Sequence, residues 1–175
     1  MALIETADLL GDRLDLRIAA DFHRISNARY VLRWMDDWEM SMGEVENLIR
    51  YFMKGYDAMN PEQMPYILGI WLKSTGGFIG ICGFGPKEEL GGEAEIAYFM
   101  DEAYAGKGYM SQFVKEAIHF YFEMTGKPYL SALVDERNLP SKRILEKMGF
   151  EYQDTADPQG SIRPHYRLYR DRYLK

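Results

Sequence analysis

Residues 95–111 read Glu-Ile-Ala-Tyr-Phe-Met-Asp-Glu-Ala-Tyr-Ala-Gly-Lys-Gly-Tyr-Met-Ser. An apolar, β-prone run ends at Met100, a short polar connection follows, and Gly106 and Gly108 then precede a long stretch with apolar residues at helical spacing. This order predicts a strand, a glycine turn and a helix N-terminus. Glycines let consecutive backbone N–H groups point at one spot, and the helix dipole adds partial positive charge there, with Lys107 in the turn. The pattern is typical of a phosphate-binding turn, although ordinary turn chemistry produces the same glycine spacing.

A helix, a strand and a second helix are predicted after the glycine turn. One helical face ends at Thr125-Gly126 and carries apolar residues at helical spacing: Met110, Phe113, Val114, Ala117, Ile118 and Tyr121. The next strand, residues 129–134, should run parallel to strand 93–100, because a whole helix separates the two. Asn138 then caps a second helix that has Pro140 in its first turn and ends at Gly149.

The first 55 residues predict one short strand and several helices. Residues 14–18 alternate apolar and charged side chains, as a half-buried strand does, and Asp21 would cap a short helix after it. Residues 27–38 are aromatic-rich, which indicates either core packing or the lining of an acceptor pocket. Ser41 and Glu44 match a capping box, and the helix that they begin is expected to end at Lys54-Gly55.

Strands at 66–73, 78–84 and 93–100 are joined by short polar turns and form an antiparallel meander. Glycines at positions 80, 83 and 85 indicate a bulge or a close approach of the neighbouring backbone. Two final strands are expected at 150–153 and 165–169, joined by a turn-rich segment.

Composition indicates a single domain over residues 1–175, because 47% hydrophobic residues supply ample material for one core. The net charge of −6 argues against nucleic acid as a partner and mildly favours a cationic one, although an acidic excess also simply keeps a protein soluble. The single cysteine, Cys82, favours a reducing cytoplasm and a role as a small buried hydrophobe. Neither a signal-peptide pattern nor an apolar run long enough for a membrane span is present. Because His23, His119 and His165 are scattered, no metal site is expected.

The element order and two motifs resemble the GNAT superfamily of N-acetyltransferases, within the branch of ribosomal-protein N-terminal and spermidine acetyltransferases. The more specific motif is residues 138–150, Asn-Leu-Pro-Ser-Lys-Arg-Ile-Leu-Glu-Lys-Met-Gly-Phe, which is similar to the branch's Asn-x-x-Ser followed by Leu-Glu-Lys-x-Gly-Phe. The other is the Glu-Ile-x-Tyr strand with its Gly-x-Gly-Tyr continuation. The resemblance covers nearly the whole chain. It implies an α/β (α+β) domain with a mixed, mostly antiparallel sheet, splayed between the fourth and fifth strands, and helices on both faces.

The resemblance implies that acetyl-CoA, the acetyl donor, lies in the gap between strands 93–100 and 129–134. Its pantetheine amides would pair with exposed strand backbone, and its pyrophosphate would take the N–H groups of the helix N-terminus. The implied cofactor contacts are Phe99, Met100, Ala105, Gly106, Lys107, Gly108, Tyr109, Met110, Ser111, Asn138 and Ser141. The family usually has Arg or Gln at Ala105 and often Gly or Ala at Met110. Because backbone N–H groups form the phosphate cradle, neither difference removes a donor.

Acetyl transfer to an amine needs a base, because an alkylammonium group has a pKa of about 10.4. A partly buried carboxylate beside the thioester is the usual agent. Glu95 is the candidate, with Glu93 in reserve, although a solvated strand face would explain either carboxylate without a role. Many superfamily members have Tyr at Leu145 as the acid for the thiolate. Here the branch implies Ser141, which would protonate the sulfur or hold it by a hydrogen bond, and which could equally satisfy a backbone group.

The resemblance therefore implies transfer of acetyl from acetyl-CoA to a primary amine by direct attack in a ternary complex. The acceptor could be a peptide N-terminus, a polyamine or another small amine. Acidic residues that could hold a cationic amine are Asp36, Asp37, Glu39, Glu44 and Glu46, although helix capping and the helix dipole explain the last two. The alternative, kept open by Leu145, is a non-catalytic acyl-CoA-binding regulatory module. A homodimer is common in this branch, and the sequence does not test it.

Overall fold

The computed structural model describes residues 2–35, 38–156 and 163–174. The strands within these ranges are β1 (Ile4–Glu5), β2 (Leu9–Arg13), β3 (Tyr66–Leu72), β4 (Phe78–Lys87), β5 (Glu93–Met100), β6 (Tyr129–Leu133), β7 (Glu151–Ala156) and β8 (Arg163–Tyr169). They form one sheet in the order β1-β2-β3-β4-β5-β6-β8-β7. Neighbouring strands are antiparallel except β5 and β6, which are parallel as predicted. The predicted fold class, with a mixed and mostly antiparallel sheet, is confirmed.

Helices cover both faces of this sheet. The α-helices of the described ranges are α1 (Ala19–Ser26), α2 (Arg29–Leu32), α3 (Met42–Ala58), α4 (Tyr109–Thr125), α5 (Leu139–Met148) and α6 (Arg170–Tyr173). On one face, α1 and α3 bury side chains such as Phe22 and Ile49 against Phe99 of β5. On the other face, α4 and α5 pack against Ile96 of β5 and the apolar side of β6. Because side chains alternate along a strand, β5 serves both cores.

The predicted start of helix α3 is confirmed. The Ser41 hydroxyl accepts the Glu44 N–H at 3.4 Å and the Glu44 carboxylate accepts the Ser41 N–H at 2.7 Å, which completes the capping box. Helix α3 runs past its predicted end to Ala58, however. Gly55 is a packing position, not a stop, because a Cβ there would lie 1.8 Å from the Pro65 carbonyl oxygen. The helix ends instead at Met59, whose φ of 47° is left-handed.

The prediction for the N-terminal strand is wrong. The strand lies at β2, and Leu16–Ile18 forms a 3-10 turn in which the Asp15 carboxylate accepts the Arg17 N–H at 2.8 Å. The alternating pattern reflects one turn of helix that buries Leu14 and Ile18. Asp21 does not cap α1 either, since it lies within the first turn of that helix. Hairpin β1-β2 is joined to β3 by a long-range ladder that no local pattern specifies.

Glycines in β4 allow the close backbone approach that the sequence predicts. A Cβ on Gly80 would lie 2.3 Å from the Phe99 carbonyl oxygen, and one on Gly83 would lie 2.4 Å from the Tyr66 carbonyl oxygen. The register between β3 and β4 also shifts beside Gly80. Strand β4 can therefore bond tightly to both of its neighbours.

Candidate active site

The sheet opens between β5 and β6. Strand β5 pairs with β4 along its whole length, whereas its only described pairing with β6 sets Glu95 opposite Ser131. No other pairing joins the two strands within the described residues. The predicted splay is confirmed. The strands predicted as the fourth and fifth are β5 and β6 of the structure, because the structure has one more strand near the N-terminus than the sequence predicts.

A cavity of about 400 Å³ lies at this opening. All of the predicted cofactor contacts except Lys107 line it: Phe99, Met100, Ala105, Gly106, Gly108, Tyr109, Met110, Ser111, Asn138 and Ser141. The structure therefore brings together the end of β5, the glycine turn and the first turn of α5. Lys107 is exposed, with its ammonium group 5.4 Å from the centroid of the Tyr104 ring. Glu95 also lies outside the lining, at the point where β5 and β6 meet.

The glycine turn places the N-terminus of helix α4 at the cavity. Gly106 and Gly108 adopt φ values of 73° and 80°, in the left-handed region that favours glycine, and Gly108 caps α4. The first N–H groups of a helix have no partner within it and carry its positive dipole end. Among the residues that the structure describes, the buried Ser111 Oγ has no hydrogen-bond partner. A buried hydroxyl without a partner costs about 1–3 kcal/mol, which a ligand oxygen would recover.

The Glu95 carboxylate lies at the apex of the gap, on the sheet face that α1 and α3 cover farther along. Its Oε1 accepts the Leu133 N–H of β6 at 3.3 Å, and the Lys87 ammonium group lies 3.8 Å from Oε2. The side chain is 17% exposed. Burial raises the pKa of Glu95 to about 7, against the opposing effects of Lys87 and the Leu133 N–H. Ala97, two residues along the same face, is exposed and leaves an opening beside this carboxylate.

Glu93, the reserve candidate, is part of a polar network across β5, β6 and β8. Its carboxylate forms an ion pair with Arg167 and accepts the Ser131 hydroxyl at 2.7 Å. The Ser131 Oγ also lies 3.3 Å from His165 Nε2, and His165 Nδ1 lies 3.1 Å from the Asp154 carboxylate. Ser131 is 0% exposed. These contacts give Glu93 structural partners, and they give His165 a structural position that the sequence analysis did not foresee.

On the opposite face of β5, Tyr98 reaches Ser141. Its phenolic oxygen lies 2.9 Å from Ser141 Oγ, and both residues line the cavity. Burial raises the pKa of Tyr98, so its hydroxyl stays protonated at neutral pH. Leu145 is 1% exposed and belongs to the core. Sequence reasoning missed Tyr98, although strand alternation places it on the face opposite Glu95 and next to the predicted phosphate turn.

The segment after α1 forms the remaining wall of the cavity, with Tyr30, Val31, Arg33, Trp34 and Met35 in its lining. The Arg33 guanidinium lies 4.6 Å from the centroid of the Tyr30 ring. The aromatic stretch therefore serves both the core and the cavity, since Val31 is buried. Of the acidic residues considered for an amine, Asp36 and Asp37 lie outside the described residues. Glu39, Glu44 and Glu46 do not line the cavity.

Cys82 is buried in β4, and burial raises the pKa of its thiol, as expected of a small hydrophobe. Within the described ranges, no group of three or more His, Cys, Asp or Glu side chains is placed to hold a metal ion. The helices of those ranges are too short or too polar to cross a membrane.

Residues 13–151 match the family model for an acetyltransferase (GNAT) domain. The chain belongs to the GNAT family. The glycine turn, the β5-β6 gap and the first turn of α5 all lie within the matched residues of this GNAT domain.

Curated bacterial proteins resemble parts of the GNAT domain. An uncharacterized N-acetyltransferase, p20 of Bacillus licheniformis, is 33% identical over 82 residues, which is 47% of this chain and 46% of that protein. The probable N-acetyltransferase YjcK of Bacillus subtilis is 40% identical over 63 residues, 36% of this chain and 35% of that protein. The chain thus spans about half the length of the first relative and about a third of the second.

Solved structures match the GNAT fold over nearly the whole chain. The ribosomal L7/L12 alpha-N-protein acetyltransferase RimL, in complex with CoA, has a TM-score of 0.80 at 16% identity, over 97% of this chain and 98% of that one. The spermidine N-acetyltransferase of Vibrio cholerae, in complex with CoA and spermine, has a TM-score of 0.79 at 15% identity, over 97% and 100%. At these identities the likeness shows the fold.

Proposed function

We propose that this protein is an N-acetyltransferase that transfers the acetyl group of acetyl-CoA to a primary amine by direct attack in a ternary complex. The observation that carries the proposal is the gap between β5 and β6. It has a raised-pKa carboxylate, Glu95, on one face, paired hydroxyls, Tyr98 and Ser141, on the other, and the N-terminus of helix α4 at its end. We place the reaction in one acetyltransferase domain, residues 1–175, working in the cytoplasm.

The donor would bind as a substrate along the lining of the cavity. The N–H groups of the glycine turn and the unpartnered Ser111 hydroxyl suit the pyrophosphate of CoA, and the separated end of β5 at Phe99 and Met100 suits its pantetheine amides. The CoA complexes of RimL and of the spermidine acetyltransferase, which share this fold, support this assignment. Acetyl-CoA supplies an activated thioester, and no metal is needed for the transfer.

Glu95 would act as the base. At pH 7 an ammonium acceptor lacks the lone pair that attacks the thioester, and a carboxylate with a pKa of about 7 can take the proton. The exposed Ala97 leaves the amine an approach on the same sheet face. As the C–S bond breaks, its electron pair moves to the sulfur, where the Ser141 hydroxyl would donate a hydrogen bond from the opposite face. Base and donor on opposite faces can act on the two ends of the reaction at once.

The acceptor is a small-molecule amine or a peptide N-terminus. RimL is described as an alpha-N-protein acetyltransferase, and the Vibrio cholerae structure contains spermine, so both acceptor classes occur on this fold. We propose that the protein has neither a nucleic-acid nor a membrane partner. We also propose that it forms a homodimer, as is common in this branch. The alternative, a non-catalytic acyl-CoA-binding module, was raised by Leu145. That residue lies in the core, and Tyr98 and Ser141 supply hydroxyls in its place.

The proposal is tested by measuring CoA binding and thiol release from acetyl-CoA with a panel of polyamines, amino acids and peptides with free N-termini. Mass spectrometry of the product should show one added acetyl group on an amine. Glu46→Gln removes a carboxylate that does not line the cavity, so this variant should keep full activity. Binding of CoA with no transfer to any amine would support the module, and failure to bind CoA would overturn both readings.

A further inference from the structure

A side-chain contact crosses the gap where the backbone ladder is lost. Tyr98 lies on β5 and Ser141 in the first turn of α5, 43 residues apart in sequence, and their hydroxyl oxygens are 2.9 Å apart. Both residues line the cavity, close to the separated end of β5. The contact therefore lies on the wall that would face the thioester sulfur.

The remaining bonds of Ser141 limit what its hydroxyl can do. Its backbone N–H is donated to the Asn138 side chain at 3.2 Å, as the helix cap requires. A serine inside a helix commonly donates its hydroxyl to the carbonyl four residues earlier, but for Ser141 that residue, Arg137, precedes the helix. Among the described residues, the Tyr98 hydroxyl lies within hydrogen-bond distance of the Ser141 hydroxyl.

Tyr98 is suited to donate in this pair. Burial raises its pKa, so it keeps its proton. That single proton has two acceptors within reach, Ser141 Oγ at 2.9 Å and the Ser141 carbonyl oxygen at 3.5 Å, and the shorter contact is the stronger hydrogen bond. When Tyr98 donates to Ser141 Oγ, the oxygen of Ser141 is occupied as an acceptor and its own proton is left to point elsewhere. The open direction is the cavity.

We propose that Tyr98 is a positioning residue, whose hydroxyl donates to Ser141 Oγ and thereby directs the Ser141 proton to the sulfur of the bound thioester. This inference rests on the proposed function. As the C–S bond breaks, the electron pair goes to sulfur, and Ser141 stabilises the thiolate by a hydrogen bond without giving up its proton. Tyr98 acts through Ser141 and need not touch the substrate.

The first test uses bound CoA alone, so it does not depend on the acceptor. The pKa of the CoA thiol on the protein is measured from thiolate absorbance against pH in wild type, Tyr98→Phe, Ser141→Ala and the double variant. A hydrogen bond to a thiolate lowers the thiol pKa, so Ser141→Ala should raise it by about one unit. Tyr98→Phe should raise it by part of that amount, and the double variant should equal Ser141→Ala.

Tyr121→Phe is the matched control. Its hydroxyl is also buried and donates to a carbonyl, that of Tyr129 at 3.3 Å, but it lies outside the cavity lining. It should leave the thiol pKa unchanged. Thermal unfolding of each variant shows whether the fold is retained.

The second test is turnover with an acceptor from the panel. Tyr98→Phe should lower kcat about tenfold and change KM for acetyl-CoA less than about twofold, and it should have no effect when Ser141 is already Ala. Equal thiol pKa and equal kcat in wild type and Tyr98→Phe would overturn the inference. Additive losses would do so too, and so would a full loss in Tyr98→Phe with none in Ser141→Ala. If CoA binds and transfers acetyl normally in these cases, the proposed function stands; if wild type fails to bind CoA, both are overturned.

Discussion

The two edges of β5 are built in opposite ways. Toward β4 the ladder runs from Glu93 to Met100, and the glycine at position 80 of β4 lets the two backbones approach closely. Toward β6 the described ladder has one position, and side chains take its place: Glu95 accepts the Leu133 N–H on one face and Tyr98 reaches Ser141 on the other. The closed edge carries the fold, and the open edge leaves backbone and side-chain groups free for a substrate.

The largest expected effect is on the open edge, at Glu95. Glu95→Gln keeps an oxygen for the Leu133 N–H and removes the base, so we expect kcat/KM to fall by about 10²–10⁴-fold. Because the proposed base accepts a proton only when it is deprotonated, we expect the wild-type rate to fall as pH drops through about 7, the pKa to which burial raises Glu95. The variant should lack that limb. Steady-state rates from pH 5.5 to 9 measure both.

Two controls accompany Glu95→Gln. Because the folded pKa is raised, the folded protein holds the proton more tightly, and this stabilising contribution is lost as pH rises through about 7. The difference in the free energy of unfolding between the variant and wild type, measured in urea, should therefore favour the variant more at pH 8 than at pH 5.

Glu93→Gln, which disturbs the ion pair with Arg167, should slow the reaction less than Glu95→Gln. The reverse order would move the base to Glu93.

On the closed edge, Gly80→Ala should destabilise the fold. Its Cβ would lie 2.3 Å from the Phe99 carbonyl oxygen, which is backbone of the neighbouring strand and cannot turn aside. We expect the free energy of unfolding to fall by about 2–3 kcal/mol in urea titrations. Gly43→Ala is the matched control, since a Cβ there meets nothing within 4 Å, and in helix α3 it should stabilise by about 0.5–1 kcal/mol. Equal stability of the two variants would show that β4 and β5 can move apart at Gly80 without loss of stability.

The smallest expected effect is that of Ser111→Ala, which tests whether the cavity binds CoA. Ser111→Ala removes a buried hydroxyl that has no partner in the described residues, so the free protein should be as stable as wild type or slightly more so. The same change should weaken CoA binding about tenfold in calorimetry, because a hydrogen bond to a charged phosphate oxygen is lost. Opposite signs for stability and affinity are the expected result. A loss of stability with unchanged affinity would assign Ser111 to the core.

Local signals were enough to predict several of the turns and helix caps. The helix caps at Ser41, Asn138 and Gly149 involve residues within one helical turn, so they can be predicted from the local sequence. The cofactor contacts were placed together by the resemblance, and ten of eleven line the cavity, Lys107 being the exception. Whether they bind CoA stays a prediction.

The features that could not be predicted from the sequence depend on contacts between residues that are distant in the chain. The first strand was misplaced because β2 is selected by its ladder to β3, about sixty residues later, and not by its own alternation. The prediction that Gly55 ends the helix is wrong because Gly55 instead makes room for the carbonyl of Pro65, which belongs to another segment. Tyr98 was missed for the same reason, since its significance comes from Ser141 across the gap.

The sealed position of Ser131 has a further consequence. Asp154, His165 and Ser131 bring together the three residue types with which hydrolases generate an acyl-serine, but the serine has no exposed surface. An ester cannot reach it, so the trio can only fasten three neighbouring strands to one another. Ser131 therefore cannot attack a thioester bound in the gap. Water is then the nucleophile that would compete with the amine for the acetyl group.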